Sequence, residues 1–475
     1  MESHSSPQTS RITRLLKSRY IIAAFIFLIA FGVRYLTWHD TRLEVGKVQY
    51  GVTADYQRIA QMMRDGGVEA FFTSTSPLAN PNTLGHPPGY SILLAITDSI
   101  YSNPRIQFLQ VTIDALSAVV IFLIVAELFS VGTATVTGLF AAFAPQFAWN
   151  SVLLLPDTLA VFPILLAVYL LVRATKRPRL LAFIIIGALI GISCWLRANA
   201  MLMTVFFAVA VPLLLRTRED ASPDDSGLGT RPRDAGARQD APVWRYSLVI
   251  IAGTILLIAP LTIRNALIFH RFIPISLGAG QTLLEGIADY DPHTRFGVPP
   301  TDVEIQQQEA DSYHRPEYAK SLFDPDGIDR ERTRLSRGFA VIRAHPFWFA
   351  GVMARRASTM IRLERTPVVA GMPDSPRLLI YPVQKLFLTA VMLPLTIIGL
   401  LVVIFRKQSR ALVILSIVPL YYFTVQSMVH TEYRYVLAVV YFLFAFAAVG
   451  IVWIGSFVYT KVISLTLWER ARVSA

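Results

Sequence analysis

The chain has 475 residues, of which 54% are hydrophobic and 16% charged. That is too apolar for a soluble globular protein, and its many long apolar windows mark an all-α polytopic membrane protein, not a β-barrel of short alternating segments. The net charge of +12 does not mark a nucleic-acid binder, because the cations flank apolar segments, and the single cysteine, Cys194, excludes intrachain disulfides and cysteine metal clusters.

A helix needs about 20 apolar residues to cross roughly 30 Å of hydrocarbon. By that measure the chain holds about ten spans, near 20–38, 105–128, 133–153, 157–173, 180–196, 198–216, 246–264, 384–405, 411–429 and 434–459. Arg11, Arg14, Lys17 and Arg19 precede the first span. That span lacks a small-x-small cleavage site, so it reads as an uncleaved signal anchor. Further cations follow even-numbered spans at Arg173, Lys176, Arg177, Arg179, Arg406, Lys407 and Arg410. The positive-inside rule then places both termini in the cytoplasm. The resulting division is a cytoplasmic N-terminus at 1–19, an N-terminal transmembrane module at 20–266, a second external loop at 267–383 and C-terminal helices with a tail at 384–475. The module contains a first external loop at 39–104 and a cytoplasmic linker at 217–245. The linker is rich in Asp, Arg, Gly, Pro and Ser, without apolar periodicity, and reads as disordered.

The first external loop holds Asp55 beside Tyr56. Tyr56, Ile59, Met62 and Met63 recur at helical spacing, and Gly66 and Gly67 stop the run. Asp55 therefore also reads as an N-cap of a helix at 56–65. The loop closes with His86-Pro87-Pro88-Gly89-Tyr90. Paired prolines cannot continue a helix but can begin one, so a new helix is predicted from Gly89. In the second loop, Asp329–Ala344 reads as an amphipathic helix. Pro346 opens another, whose aromatics and arginines suit the headgroup layer.

The polar residues gather at the outer ends of the spans. Asp157 lies in LLLPDTLA, Arg197 in CWLRANA, and Arg264 with Asn265 in APLTIRNALIF. His430, Glu432, Arg434 and Tyr435 lie in VHTEYRY. Arginine matches phosphate with bidentate hydrogen bonds and keeps its proton. A nearby carboxylate can accept a proton from an attacking hydroxyl. Taken singly, each residue also reads as a snorkelling anchor or loop residue. Together they suit an amphiphilic phosphate substrate entering from the membrane, such as a lipid-linked phosphosugar. Asp55, His86 and Asp157 could also hold a divalent ion, though no compact metal motif is present.

Six stretches carry a family resemblance: Asp55-Tyr56, HPPGYSILLAI at 86–96, PQFAWNSVLLLPDTLAVFPILLA at 145–167, GALIGISCWLRANAML at 187–202, PLTIRNALIFHRFIPISLGAG at 260–280 and EYRYVLAVVYFLFAFAAVGI at 432–451. In this order they resemble the GT-C membrane glycosyltransferases. The similar branch comprises protein O-mannosyltransferases and aminoarabinose transferases to lipid A. The resemblance implies a GT-C-like fold, an external active site and an inverting transfer. Its donor would be a polyprenyl-phosphate sugar, and its acceptor a lipid, glycan or protein. By motif position Asp55 is similar to the family's catalytic acid and Asp157 to its second acidic position. Arg264, Arg434 and Arg197 would then grip the donor phosphate. Tyr56, His86, Asn265, His430, Glu432 and Tyr435 are further candidates. Many relatives carry Asp-Glu where this chain has Asp55-Tyr56, and a lysine where it has His86.

A multipass transporter or lipid flippase is the alternative. Transporters place charged or broken-helix sites near the midplane, often between internal repeats, and no repeat relates the halves here. A non-catalytic envelope scaffold is a third reading. The topology is tested by labelling Asn80→Cys and Pro325→Cys proteins in intact cells. Both should react with an impermeant thiol reagent without lysis; protection of both until lysis would reverse the orientation.

Overall fold

The computed structural model describes residues 7–42, 49–101, 103–219, 243–363 and 385–473. All regular elements among the described residues are helical. The first polar segment holds α2 (Tyr50–Phe72) and α3 (Gly89–Ile96), after the long α1 (Pro7–Thr41). Then come α4 (Pro104–Leu128), α5 (Val131–Phe143), α6 (Pro145–Val152), α7 (Asp157–Ala174), α8 (Leu180–Leu196), α9 (Met203–Glu219) and α10 (Trp244–Phe269). The second polar segment folds into α11 (Ala279–Ala288), α12 (Asp302–Tyr313), α13 (Gly327–Ala344) and α14 (Pro346–Met360). The chain closes with α15 (Thr389–Phe405), α16 (Ser409–Thr424) and α17 (Leu437–Val473).

Seven helical stretches are long and apolar enough to cross a membrane, and the bent pair α5–α6 makes an eighth. Two shorter apolar helices, α8 and α15, occupy the remaining expected spans. These elements coincide with the ten segments read from the sequence, so the chain is a multi-pass membrane protein. The helices at Gly89, Asp329 and Pro346 also form where the sequence places them. The helix near Asp55 is longer than expected. It starts at Tyr50 and runs past Gly67, where φ is 66° and the chain kinks. Most of the 217–245 linker and residues 364–383 fall outside the described residues.

Among the described residues the third span is broken, bent by 49° between α5 and α6. The cause is Pro145, which has no N–H to give to the carbonyl of Ala141. Arg34 of α1, fully buried, supplies the missing donors. Its Nη2 donates to Ala141 O at 3.1 Å and its Nη1 to Ala142 O at 2.9 Å. Its Nε meets Asp114 Oδ2 of α4 at 2.5 Å, and Tyr441 Oη of α17 donates to Asp114 Oδ1 at 2.9 Å. One buried ion pair thus joins α1, α4, the α5–α6 break and α17.

The two polar segments meet at one end of the bundle. Leu277 N–H donates to Leu84 O at 2.7 Å, and Ser321 bonds Asn82. Within the second segment, Glu331 of α13 accepts from the N–H groups of Gly278, Gly280 and Gln281 at 2.9, 2.5 and 3.3 Å. A carboxylate there satisfies free donors and complements the positive end of α11. Arg330 and Arg334 both grip Glu309 of α12 at 2.7 Å. The helices α11 to α13 therefore form one ion-paired cap over the bundle.

Breaking a buried ion pair by removing one partner costs about 3–5 kcal/mol, whereas replacing both by apolar groups is tolerated. Arg34→Leu should therefore lower the unfolding midpoint in detergent more than Arg34→Leu combined with Asp114→Leu. A double variant as unstable as the single one would show that the carbonyl bonds, not the ion pair, dominate.

Candidate active site

The site is built around Asp157, the first residue of α7. The chain before it is unwound, and α4 holds that segment in place. Gln107 Nε2 donates to Val152 O at 2.9 Å, and Gln110 Nε2 donates to Ser151 O at 3.2 Å and Leu153 O at 2.6 Å. Pro156 precedes α7 with helical φ and ψ, so the helix begins at the carboxylate. The positive end of the helix favours that anion.

Two arginines converge on it. Arg197, at the end of α8, places Nη2 at 2.9 Å from Asp157 Oδ1. Arg434, in the short turn Tyr433–Val436, places Nη1 at 3.7 Å from Asp157 Oδ2. Glu432 then holds Arg434 in a two-pronged contact, at 2.8 Å to Nε and 3.0 Å to Nη2. Tyr435 lies against both guanidinium groups, 4.2 Å from Arg197 and 5.0 Å from Arg434. Glu432 is held below the usual carboxylate range: burial works against it, but the bond to Arg434 prevails. Two acids thus balance two arginines.

Asp157 Oδ2 and Arg434 Nη1, 3.7 Å apart, attract one another but are too distant for a hydrogen bond. Both atoms are buried and neither has a hydrogen-bond partner. One is an acceptor and the other a donor. A hydroxyl set beside the pair could donate to the carboxylate oxygen and accept from the guanidinium, because it donates and accepts at once. Buried orphans of this kind are rare.

Tyr56 and His86 close one side. Tyr56 is buried and its ring stacks on His86 at 4.8 Å, with Tyr90 edge-on at 5.1 Å. Burial raises the Tyr56 phenol to about 12. Burial, reinforced by Arg197 and Arg434, lowers the His86 imidazole to about 3. His86 is therefore neutral at physiological pH and lends no positive charge. Gly89 lets α3 approach α8: a Cβ there would collide with the carbonyl of Trp195. Asp55 points elsewhere. Its side chain is 52% exposed and pairs with Arg58 at 3.2 Å. Among the described residues no hydrogen bond joins it to the Asp157 cluster. Nor is it an N-cap, because α2 begins at Tyr50.

Arg264 lies near the end of α10, buried, with Asn265. Its donors go to neutral oxygens only: Phe71 O at 2.9 Å, Leu78 O at 2.6 Å and Asn265 Oδ1 at 3.0 Å. No carboxylate pairs with it among the described residues. The rings of Phe71 and Phe269 face it at 4.6 and 5.4 Å. Arg264 and His86 line one small pocket with Ile59, Met63, Phe71 and Leu261. Asn265 Nδ2 donates to Ile273 O and Ile275 O, both at 3.1 Å, and so fastens the next loop.

His430 sits on the far side of Glu432, with Nδ1 at 2.9 Å from Asp289 Oδ2. Sequence reasoning missed Asp289 and Arg356, which surround it. Arg356 was detectable: Phe349, Val352, Arg356 and Met360 share one buried face at helical spacing. Asp289 gave no signal. Among the described residues no group of three or more His, Cys, Asp or Glu is placed to hold a metal ion, and Asp55, His86 and Asp157 form no such group.

Residues 85–220, which include His86, Asp157 and Arg197, match the family described as dolichyl-phosphate-mannose-protein mannosyltransferase. In three dimensions the chain is similar to the apo oligosaccharyltransferase of Archaeoglobus fulgidus, with a TM-score of 0.51 at 14% identity, covering 94% of this chain and 52% of that one. The fold is that of the GT-C membrane glycosyltransferases. Two further GT-C structures align. AglB from Archaeoglobus fulgidus, in complex with an inhibitory peptide and a dolichol-phosphate, gives a TM-score of 0.49 at 13% identity over 95% of this chain and 52% of that one. ArnT from Cupriavidus metallidurans, bound to undecaprenyl phosphate, gives 0.33 at 13% identity over 92% and 77%. The chain spans about half the length of the archaeal GT-C proteins, 52%. No curated protein matches it as a sequence.

Asp157→Asn removes the anion that faces both Arg197 and Arg434, and should cost about 3 kcal/mol of stability. Asp55→Asn, on an exposed face, should change stability by less than about 0.5 kcal/mol. Unfolding midpoints in detergent check both. Equal losses would mean that Asp157 is not the electrostatic centre of the site.

Proposed function

We propose that the protein is an inverting glycosyltransferase of the cell envelope. It takes a sugar from a polyprenyl-phosphate carrier and passes it to a lipid, glycan or protein hydroxyl. The membrane is the plasma or inner membrane, and the polar end of the bundle faces outward. The observation that carries this reading is the buried pair Asp157 Oδ2 and Arg434 Nη1, neither atom hydrogen-bonded, lying within a mannosyltransferase-like stretch and its partner loop. A hydroxyl set against that pair could bond to both atoms, and a sugar supplies several.

Arg264 is the residue for the carrier phosphate. Its charge has no acidic partner among the described residues, so an arriving anion competes only with neutral oxygens. Arg197 and Arg434 already hold Asp157 and Glu432, and in this proposal they orient the carboxylate and the donor. Asp55 accepts the acceptor's proton in this proposal, which requires its exposed side chain to leave Arg58 and turn toward the acceptor. The acceptor oxygen bonds to the anomeric carbon, the bond from that carbon to the phosphate oxygen breaks, and the carrier phosphate leaves with the electron pair. Arg264 and Arg434 stabilise the leaving charge as it develops. The apolar wall of Ile59, Met63, Phe71 and Leu261 suits the first isoprene units.

The test compares envelope glycans and carrier lipids by mass spectrometry with and without the protein, then assays variants. Losing a charge-assisted contact costs roughly 1.5–3 kcal/mol, so Arg264→Ala should weaken donor binding about tenfold or more. General-base assistance is worth roughly 10²–10⁴-fold, so Asp55→Asn should lose most turnover while still binding the donor. Unchanged glycans and carriers in the deletion, together with full turnover by Asp55→Asn, would defeat the proposal.

A further inference from the structure

The loop that carries His430 also carries Glu432 and Arg434, and it is fastened to the cap by three contacts. His430 N–H donates to Thr282 O of α11 at 2.8 Å. The approach is close: a Cβ on Gly286 would stand 2.6 Å from His430 N. Arg356 of α14, buried, donates to Ser427 O at 2.7 Å and to Gly286 O. Finally, His430 Nδ1 lies 2.9 Å from Asp289 Oδ2, and Arg356 Nη2 lies 3.4 Å from the same oxygen. The first two contacts involve groups that do not titrate near neutrality. The third does.

We propose that the Asp289–His430 ion pair is a positioning device for the Arg434 loop, and that its charge state sets how tightly the site holds a polyprenyl phosphate. The second half rests on the glycosyltransferase reading above. Glu432 is two residues from His430 and makes the two-pronged contact with Arg434. A shift of His430 therefore reaches Arg434 through a short, already tethered piece of chain.

The groups facing His430 favour its charged form. Asp289 and Glu285 come from α11, and Glu432 from its own loop. Asp302 of α12 lies behind Glu285. Arg356 opposes them from α14, where Arg355 is turned onto the ring of Tyr290. The bond to Asp289 raises the imidazole above its ordinary value, although burial works the other way. The pair is complete below that raised value and is lost as pH rises through it. The phosphate grip should accordingly be tighter in mild acid and looser in mild alkali.

The experiment uses the full-length protein in lipid nanodiscs at about pH 6 and about pH 8.5, on either side of the histidine range. Hydrogen–deuterium exchange of peptides covering 425–436, corrected for intrinsic rates, reports the loop directly. The wild type should be protected roughly tenfold more at the lower pH, the size of one charge-assisted contact. His430→Gln should be unprotected at both, and His430→Lys, which stays charged, should show no pH step. Undecaprenyl phosphate binding, followed by tryptophan fluorescence, should track the same pattern. The ligand's own phosphate titrates in this window, so the difference between wild type and His430→Gln is what is read. Loop protection that is equal in wild type and His430→Gln at both pH values would overturn the positioning role. Binding that steps with pH equally in both proteins would overturn its effect on the site. A wild type that binds no undecaprenyl phosphate at either pH would instead defeat the glycosyltransferase reading, while the exchange data still decide the role of the pair.

Discussion

The carbonyl groups that Pro145 leaves without donors are the constraint on which the rest of the structure depends. In hydrocarbon no water can satisfy them, so protein must. Arg34 does so, and its buried charge in turn requires Asp114 on α4. That sets the rotation of α4, and the same helix turns Gln107 and Gln110 toward the unwound chain after α6. Those amides hold the strand that delivers Asp157. A proline near the middle of one span is thus connected, through two buried side-chain layers, to the position of the carboxylate at the polar end.

At that end the charges divide into two kinds. Asp157, Glu432, Arg197 and Arg434 neutralise one another and form a rigid, directional frame. Arg264 stands apart, held only by neutral oxygens and aromatic faces. Breaking a compensated buried pair is expensive, whereas an arginine bonded to carbonyls can exchange one acceptor for a better one. The frame is therefore suited to orientation and the lone arginine to binding. Neutral His86 adds no further charge to this region.

Much of the architecture was legible because spans, helix starts and polar turns depend on composition and on local rules for proline and capping. The ten spans and the helices at Gly89 and Pro346 are of that kind. The bend at Pro145 was visible as a proline but not as a need for Arg34, since the partner is distant in sequence. In the candidate site, the sequence named Asp157, Arg197, Arg434 and Tyr435, and the fold brings these together. It could not say that Tyr56 turns inward while Asp55 turns out, although the helical period that buries Tyr56 and Ile59 already implied it. Asp289 was invisible because its role exists only through the packing of α11 against a loop from the other end of the chain.

The solitary charge of Arg264 bears on what happens after transfer. A sugar donor linked through one phosphate is a diester with a single negative charge, which Arg264 matches. The spent carrier is a monoester, whose second ionisation lies near neutrality, so it bears up to two charges at pH 7. The pocket supplies one cation for it, and the remaining arginines are committed to Asp157 and Glu432. In the proposed reaction the surplus negative charge then sits in a partly desolvated pocket without a second cation among its lining residues. Under the proposed function, desolvating that second, unmatched charge weighs against retention of the spent carrier, which favours turnover over product inhibition.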